Sequence, residues 1–150
     1  MSPESAADAP DVDPDLQTLL DELLPEAMDL LAAERAFYPF GGYVGADGRF
    51  AFVPPSVRAD EPTPERLLEE LYSVLRDGAE TDAYRAVGVA TDVRVSPPGT
   101  EAATDAVRLE LEHRQGVCLN VYFPYTLGAD GVPEPGTPFG GQVEPHILTG

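Results

Sequence analysis

Apolar residues recur at helical spacing from Asp15 onward. Leu16, Leu19, Leu20, Leu23, Leu24, Ala27, Met28 and Leu31 follow i, i+3, i+4, i+7 along one face. Pro25 falls inside that stripe and lacks a backbone donor. The pattern therefore predicts one kinked helix or two abutting helices, 15–24 and 25–35. A second stripe, Leu67, Leu68, Leu71, Tyr72 and Leu75, has Glu65, Glu69, Glu70 and Arg76 on its wet side. Thr63 as N-cap and Pro64 at the first helical position start this helix. Gly78 offers a stop, with one further turn to Asp82 as the alternative.

Elsewhere the period is two. Val87, Val89, Val93 and Val95, then Val107, Leu109 and Leu111, then Val117, Leu119, Val121 and Phe123 occupy odd positions. Such alternation marks antiparallel strands with one buried face. A three-residue turn at Arg114-Gln115-Gly116 pairs 113 with 117 and keeps the odd positions together, which a two-residue turn would not. Pairing Val93 with Val107 does the same for the preceding pair of strands. It sets Asp92 opposite Arg108, and Arg108 opposite Tyr122, whereas a two-residue slide would oppose like charges. Upstream, Ala46-Asp47-Gly48 suits a hairpin loop with Gly48 left-handed. That hairpin pairs Val44 with Phe50 and Gly42 with Phe52, so Gly42 leaves room for the ring of Phe52.

The expected fold is α+β: one antiparallel five-stranded sheet with two or three helices packed on one face, in the order α-β-β-α-β-β-β. Residues 1–14 read as a disordered acidic tail and 15–150 as a single α+β domain. Residues 54–62 read as a loop. Residues 126–150 are Gly- and Pro-rich and read as a surface wrap, with a short strand between Gln142 and Leu148.

Charge narrows the partners. The chain carries a formal net charge of −18 and no lysine. A GC-rich genome or a salt-rich cytoplasm would each favour that composition. Residues 1–35 hold ten carboxylates against Arg35 alone. Such a field repels nucleic acid and anionic membrane and attracts a basic protein. Apolar runs fall short of the ~20 residues needed to span a bilayer. The single cysteine, Cys118, cannot staple the fold, and the N-terminus lacks a secretory pattern. The expectation is a cytoplasmic protein.

One stretch, Ala36-Phe-Tyr-Pro-Phe-Gly-Gly-Tyr-Val44, holds four of the twelve aromatics. Tyr122-Phe-Pro-Tyr125 echoes it, and Pro-Phe-Gly-Gly recurs at Pro138–Gly141. With the three strands between, these segments resemble a family of small uncharacterised bacterial α+β proteins carrying a Phe-Tyr-Pro-Phe-Gly-Gly strand. The element order is similar to that of profilin-like and roadblock-like folds. Neither resemblance implies a catalytic residue.

No catalytic, metal or cofactor motif emerges. His113 and Cys118 are five residues apart but fall on opposite sheet faces, and a lone cysteine is more often a small packed residue than a nucleophile. Zinc spacings are absent. Asp8, Asp11, Asp13 and Asp15 lack the glycine and terminal glutamate of a calcium loop. Phe40-Gly-Gly-Tyr43 opens a hairpin, whereas a phosphate loop feeds a helix. Glu110 and Glu112 share a strand face and read more readily as a solvated pair than as catalytic carboxylates.

Two functional expectations follow. The first is a non-catalytic protein-binding protein, an immunity-like inhibitor or regulatory adaptor, that meets a basic partner through an open sheet face bearing Asp92, Arg108, Glu110, Asn120 and Tyr122. The second is a small-molecule-binding protein or unfamiliar enzyme. Its aromatic pocket, built from Phe37, Tyr38, Tyr43, Tyr125 and Phe139, would lie between segments 37–43, 122–125 and 138–141. A homodimer through an exposed edge strand is a third arrangement.

Overall fold

The computed structural model describes residues 14–54 and 63–148. The acidic tail and most of the 54–62 loop lie outside the described residues. Among the described residues two helices, α1 (Pro14–Glu34) and α2 (Pro64–Asp82), accompany seven strands: β1 (Phe40–Val44), β2 (Phe50–Val53), β3 (Ala86–Val95), β4 (Thr104–His113), β5 (Cys118–Leu127), β6 (Pro133–Pro135) and β7 (Phe139–Gln142). The architecture is α+β with one antiparallel sheet, ordered β2-β1-β3-β4-β5-β6. β7 also pairs with β5, along Leu119–Tyr122, while β6 takes Tyr125–Leu127. Among the described residues no helix is long and apolar enough to cross a membrane.

Both helices start and stop for local reasons. α1 runs unbroken through Pro25, and its end is set by Arg35 in the left-handed region, whose N–H bonds Leu31. Thr63 caps α2 by accepting the Arg66 N–H, with Pro64 in the first turn. α2 continues past Gly78 to a left-handed Ala83. A side chain at position 78 would meet the ring of Tyr84, which stacks on Tyr43 at 3.9 Å.

The expected sheet needs three corrections. It has seven strands rather than five, because the Gly/Pro-rich tail adds two short ones at 133–135 and 139–142. The second Pro-Phe-Gly-Gly copy opens β7 as the first opens β1.

The helices also sit on opposite faces. α1 buries Leu16, Leu19, Leu23 and Leu31 against Phe40, Val44, Ala86, Ala90, Val107, Leu109 and Leu111. α2 buries Leu71 and Leu75 against Val87, Val89 and Ile147.

The third correction explains the second. β3 pairs with β4 as Asp92↔Val107 and Thr91↔Arg108, one residue from the expected register. A one-residue shift turns every side chain of a strand to the other face. Here Ala86, Gly88 and Ala90 face α1, while Val87 and Val89 face α2. Small residues let α1 pack closely: a Cβ at Gly88 would lie 2.7 Å from Leu23 Cδ1. The β4–β5 register does match the expectation, with Arg108 opposite Tyr122, and so does the β1–β2 register, Val44 opposite Phe50.

Candidate functional site

The first place where polar groups converge is the α2 face of β4. Glu110 and Glu112 are not solvated; they are 5% and 1% exposed. Tyr72 Oη, from α2, donates to Glu110 Oε2 at 2.6 Å, and His146 Nε2 lies 2.8 Å from Glu110 Oε1. Arg108 adds a 3.3 Å ion pair. Glu112 Oε2 accepts the His146 N–H, and its Oε1 accepts the N–H groups of Ile147 and Leu148, each at 2.9 Å. Arg76 closes the assembly from α2 by donating twice to the His146 carbonyl.

These carboxylates hold the C-terminal segment against the sheet. Burial and the Glu110 charge push the Tyr72 phenol well above its ordinary range, so it serves as a hydrogen-bond donor and not as a base. Cys118 is buried beside Glu112, and burial together with that charge raises its thiol pKa, the opposite of an activated nucleophile. His113 faces α1 instead, 2.9 Å from Asp15. Among the described residues no group of His, Cys, Asp and Glu is placed to hold a metal ion.

The expected sheet-face platform is therefore divided. Arg108, Glu110, Asn120 and Tyr122 share one face, where Glu110 is covered and Tyr122 stacks on Phe139 at 5.0 Å. Asp92 is turned to the other face by the β3 register, and accepts Tyr125 Oη at 2.7 Å, with the Phe37 backbone near enough to favour its charge. The five aromatic candidates are likewise split. Phe37 and Tyr125 meet at Asp92, and Tyr38 adjoins Phe37. Tyr43 stacks on Tyr84 beneath α2, and Phe139 lies with Tyr122 at the β5 edge.

What the structure assembles instead is an apolar groove between α1 and the β2 edge. It encloses about 260 Å³ and is walled by Leu30, Phe37, Tyr38, Phe40 and Phe52. Glu26 and Glu34, from α1, form its rim. The rings run as a chain: Phe37 on Phe40 at 5.6 Å, Phe40 on Phe52 at 6.4 Å, Phe52 on Phe50 at 4.8 Å. Gly42 makes room for the ring of Phe50, not Phe52, since a Cβ there would lie 2.7 Å from Phe50 Cε1. Phe52 is left 46% exposed, and Tyr38 48% exposed.

Sequence reasoning singled out Phe37 and Tyr38 and missed Phe52 and the two glutamates. The available signal was the acidic outer side of α1, where Asp21, Glu22, Asp29 and Glu34 are exposed. Compared with protein-family models, with curated proteins and with solved structures, the chain has no match.

Proposed function

We propose that this is a non-catalytic protein-binding protein, of the immunity-like inhibitor or regulatory-adaptor kind, which takes a basic, apolar segment of another cytoplasmic protein in the α1–β2 groove. The observation that carries the reading is the pair of exposed rings, Tyr38 and Phe52, on a concave apolar wall rimmed by Glu26 and Glu34. Large exposed apolar side chains gathered in one patch mark interaction sites more often than scattered ones do. Tyr and Phe are favoured at the core of interfaces, with charge at the rim.

Charge selects the partner. The solvent side of α1 is acidic along its length, and the whole chain carries −18. Complementary charge of that size raises association rates and turns away acidic competitors. β2 is an edge strand whose one strand neighbour among the described residues is β1. An extended partner segment has backbone groups there to pair with, beside a pocket for its apolar side chain.

Affinity capture from cell extract tests the reading when wild type and a Tyr38→Ser/Phe52→Ser variant are run in parallel at low and moderate salt. The expected result is a basic protein retained by wild type and lost from the variant, with retention falling as salt rises. A partner captured equally by both would place the binding surface elsewhere.

A further inference from the structure

The α1 wall of the groove carries charge and apolar surface in a fixed order. Glu26, Leu30 and Glu34 line it at i, i+4 and i+8, along one side of the helix. At roughly 1.5 Å of rise per residue, the two glutamates stand about 12 Å apart with Leu30 midway. Glu26 is half-buried and Glu34 exposed, and neither has an ion-pair partner among the described residues. The opposite wall, β2, is an open edge. Gly45 N–H bonds the Arg49 carbonyl, and the alternation of an antiparallel ladder then turns the backbone groups of Tyr43 and Ala51 toward each other and those of Phe50 and Phe52 outward. The groove's volume of about 260 Å³ lies below the roughly 300–1,000 Å³ of small-molecule pockets and suits one side chain of a longer segment.

We propose, on the reading of this groove as a protein-binding site, that its occupant is an extended segment of the pattern basic-x-apolar-x-basic. The central apolar side chain enters between Leu30 and Phe52, the two arginine or lysine side chains pair with Glu26 and Glu34, and the backbone adds to the β2 edge. The period of two sets the spacing. An extended chain advances about 3.3 Å per residue and points alternate side chains one way, so residues four apart stand about 13 Å apart with the midway residue on the same side. That reproduces the order and the span of Glu26, Leu30 and Glu34. A helical occupant would need its basic residues eight apart, at the rise of α1 itself, and would leave the outward groups of Phe50 and Phe52 without a chain to pair with. The pattern is the same read from either end, so it fits both directions of the segment. Glu26 and Glu34 are the charged residues of the groove lining, and Glu22, one turn further back, continues the acidic line. Rim ion pairs of this kind contribute little affinity each, so they select the spacing while the enclosed side chain carries the binding.

The test uses capped peptides of one length and one composition, with two arginines placed two, four or eight positions apart around a central phenylalanine in a serine–glycine background. Affinity for the full chain is read by fluorescence anisotropy at low salt on wild type, Glu26→Gln, Glu34→Gln and Tyr38→Ser/Phe52→Ser. The peptide with arginines four apart should bind at least fivefold more tightly than the other two. Each glutamine variant should weaken it several-fold and remove most of its advantage. N-methylation of alternate backbone amides along one edge of that peptide should abolish binding, and along the other edge should change it less than twofold. Equal affinity for all three spacings, lost on Tyr38→Ser/Phe52→Ser, would overturn the pattern and leave the groove as a protein-binding site. Preference for arginines eight apart would overturn the extended form in favour of a helix. Binding that Tyr38→Ser/Phe52→Ser does not weaken, or no binding of any peptide, would overturn the pattern and the groove together.

Discussion

The buried carboxylate of Glu112, near the C-terminal end of β4, accepts the backbone N–H of Ile147 at 2.9 Å, thirty-five residues along the chain. With the His146 and Leu148 N–H groups, the same side chain satisfies three donors of a segment that has no regular secondary structure of its own. Burying a carboxylate costs several kcal/mol, and hydrogen bonds to a charged group each return about 1.5–3 kcal/mol. Three such bonds are therefore what makes the burial sustainable. Glu112→Gln leaves one oxygen for three donors. It should lower stability by about 1–3 kcal/mol in a denaturant titration and accelerate amide exchange at 146–148 ahead of the sheet. Unchanged protection of those amides would mean that the segment is held by Ile147 packing alone.

Asp15 ties the start of α1 to the same end of β4, on the opposite face of the sheet. Burial disfavours its charge, but hydrogen bonds from Arg85 and His113 outweigh that and hold the carboxyl below its ordinary value. A depressed folded value means stabilisation that is fully present above the unfolded value, near pH 4, and lost as pH falls through the folded one. Arg85 is 45% exposed, so screening keeps the contribution small. Asp15→Asn should cost about 1–2 kcal/mol at pH 7, and the gap to wild type should close as pH falls through the folded value. A gap that persists undiminished in acid would assign the effect to packing of the α1 terminus.

Two glycines separate backbone from side-chain constraint. A Cβ at Gly41 would lie 2.6 Å from the Gly88 carbonyl oxygen, in a neighbouring strand that cannot yield. At Gly88 the nearest atom is the end of the Leu23 side chain, which can turn away. Gly41→Ala should therefore destabilise by about 3 kcal/mol, at the upper end of overpacking costs, and Gly88→Ala by about 1 kcal/mol. Thermal or denaturant unfolding of the two variants measures the order. The reverse order would mean that the β1–β3 pair accommodates a side chain more easily than the α1 interface does.

These positions also show why part of the fold was legible and part was not. β4 and β5 alternate cleanly, so a single turn length put their apolar residues together and fixed the register. β3 does not alternate where it matters: Ala86 to Ala90 is a continuous apolar run, buried on both faces. Continuous runs are what a strand covered from both sides looks like. Such a strand carries no register information, and the one-residue error that follows moves both helices onto one face.

Glu110 and Glu112 looked solvated because their cover comes from 146–148 and from Tyr72, neither of which local patterning connects to β4. The groove depends on α1 lying beside the β2 edge, which again follows from the face that β3 presents to α1. Only its aromatic wall, Phe37 and Tyr38, could be read directly, as rings the hairpin does not use.

Selection of random peptides on the folded protein, followed by affinity measurement on wild type and Tyr38→Ser/Phe52→Ser, tests the groove as a binding site most directly. A groove that binds a basic, apolar segment should select peptides that share an aromatic or large aliphatic residue flanked by arginine or lysine, bind more weakly as salt rises, and lose at least tenfold in affinity on the variant. Peptides without basic residues, or with equal affinity for both proteins, would contradict it.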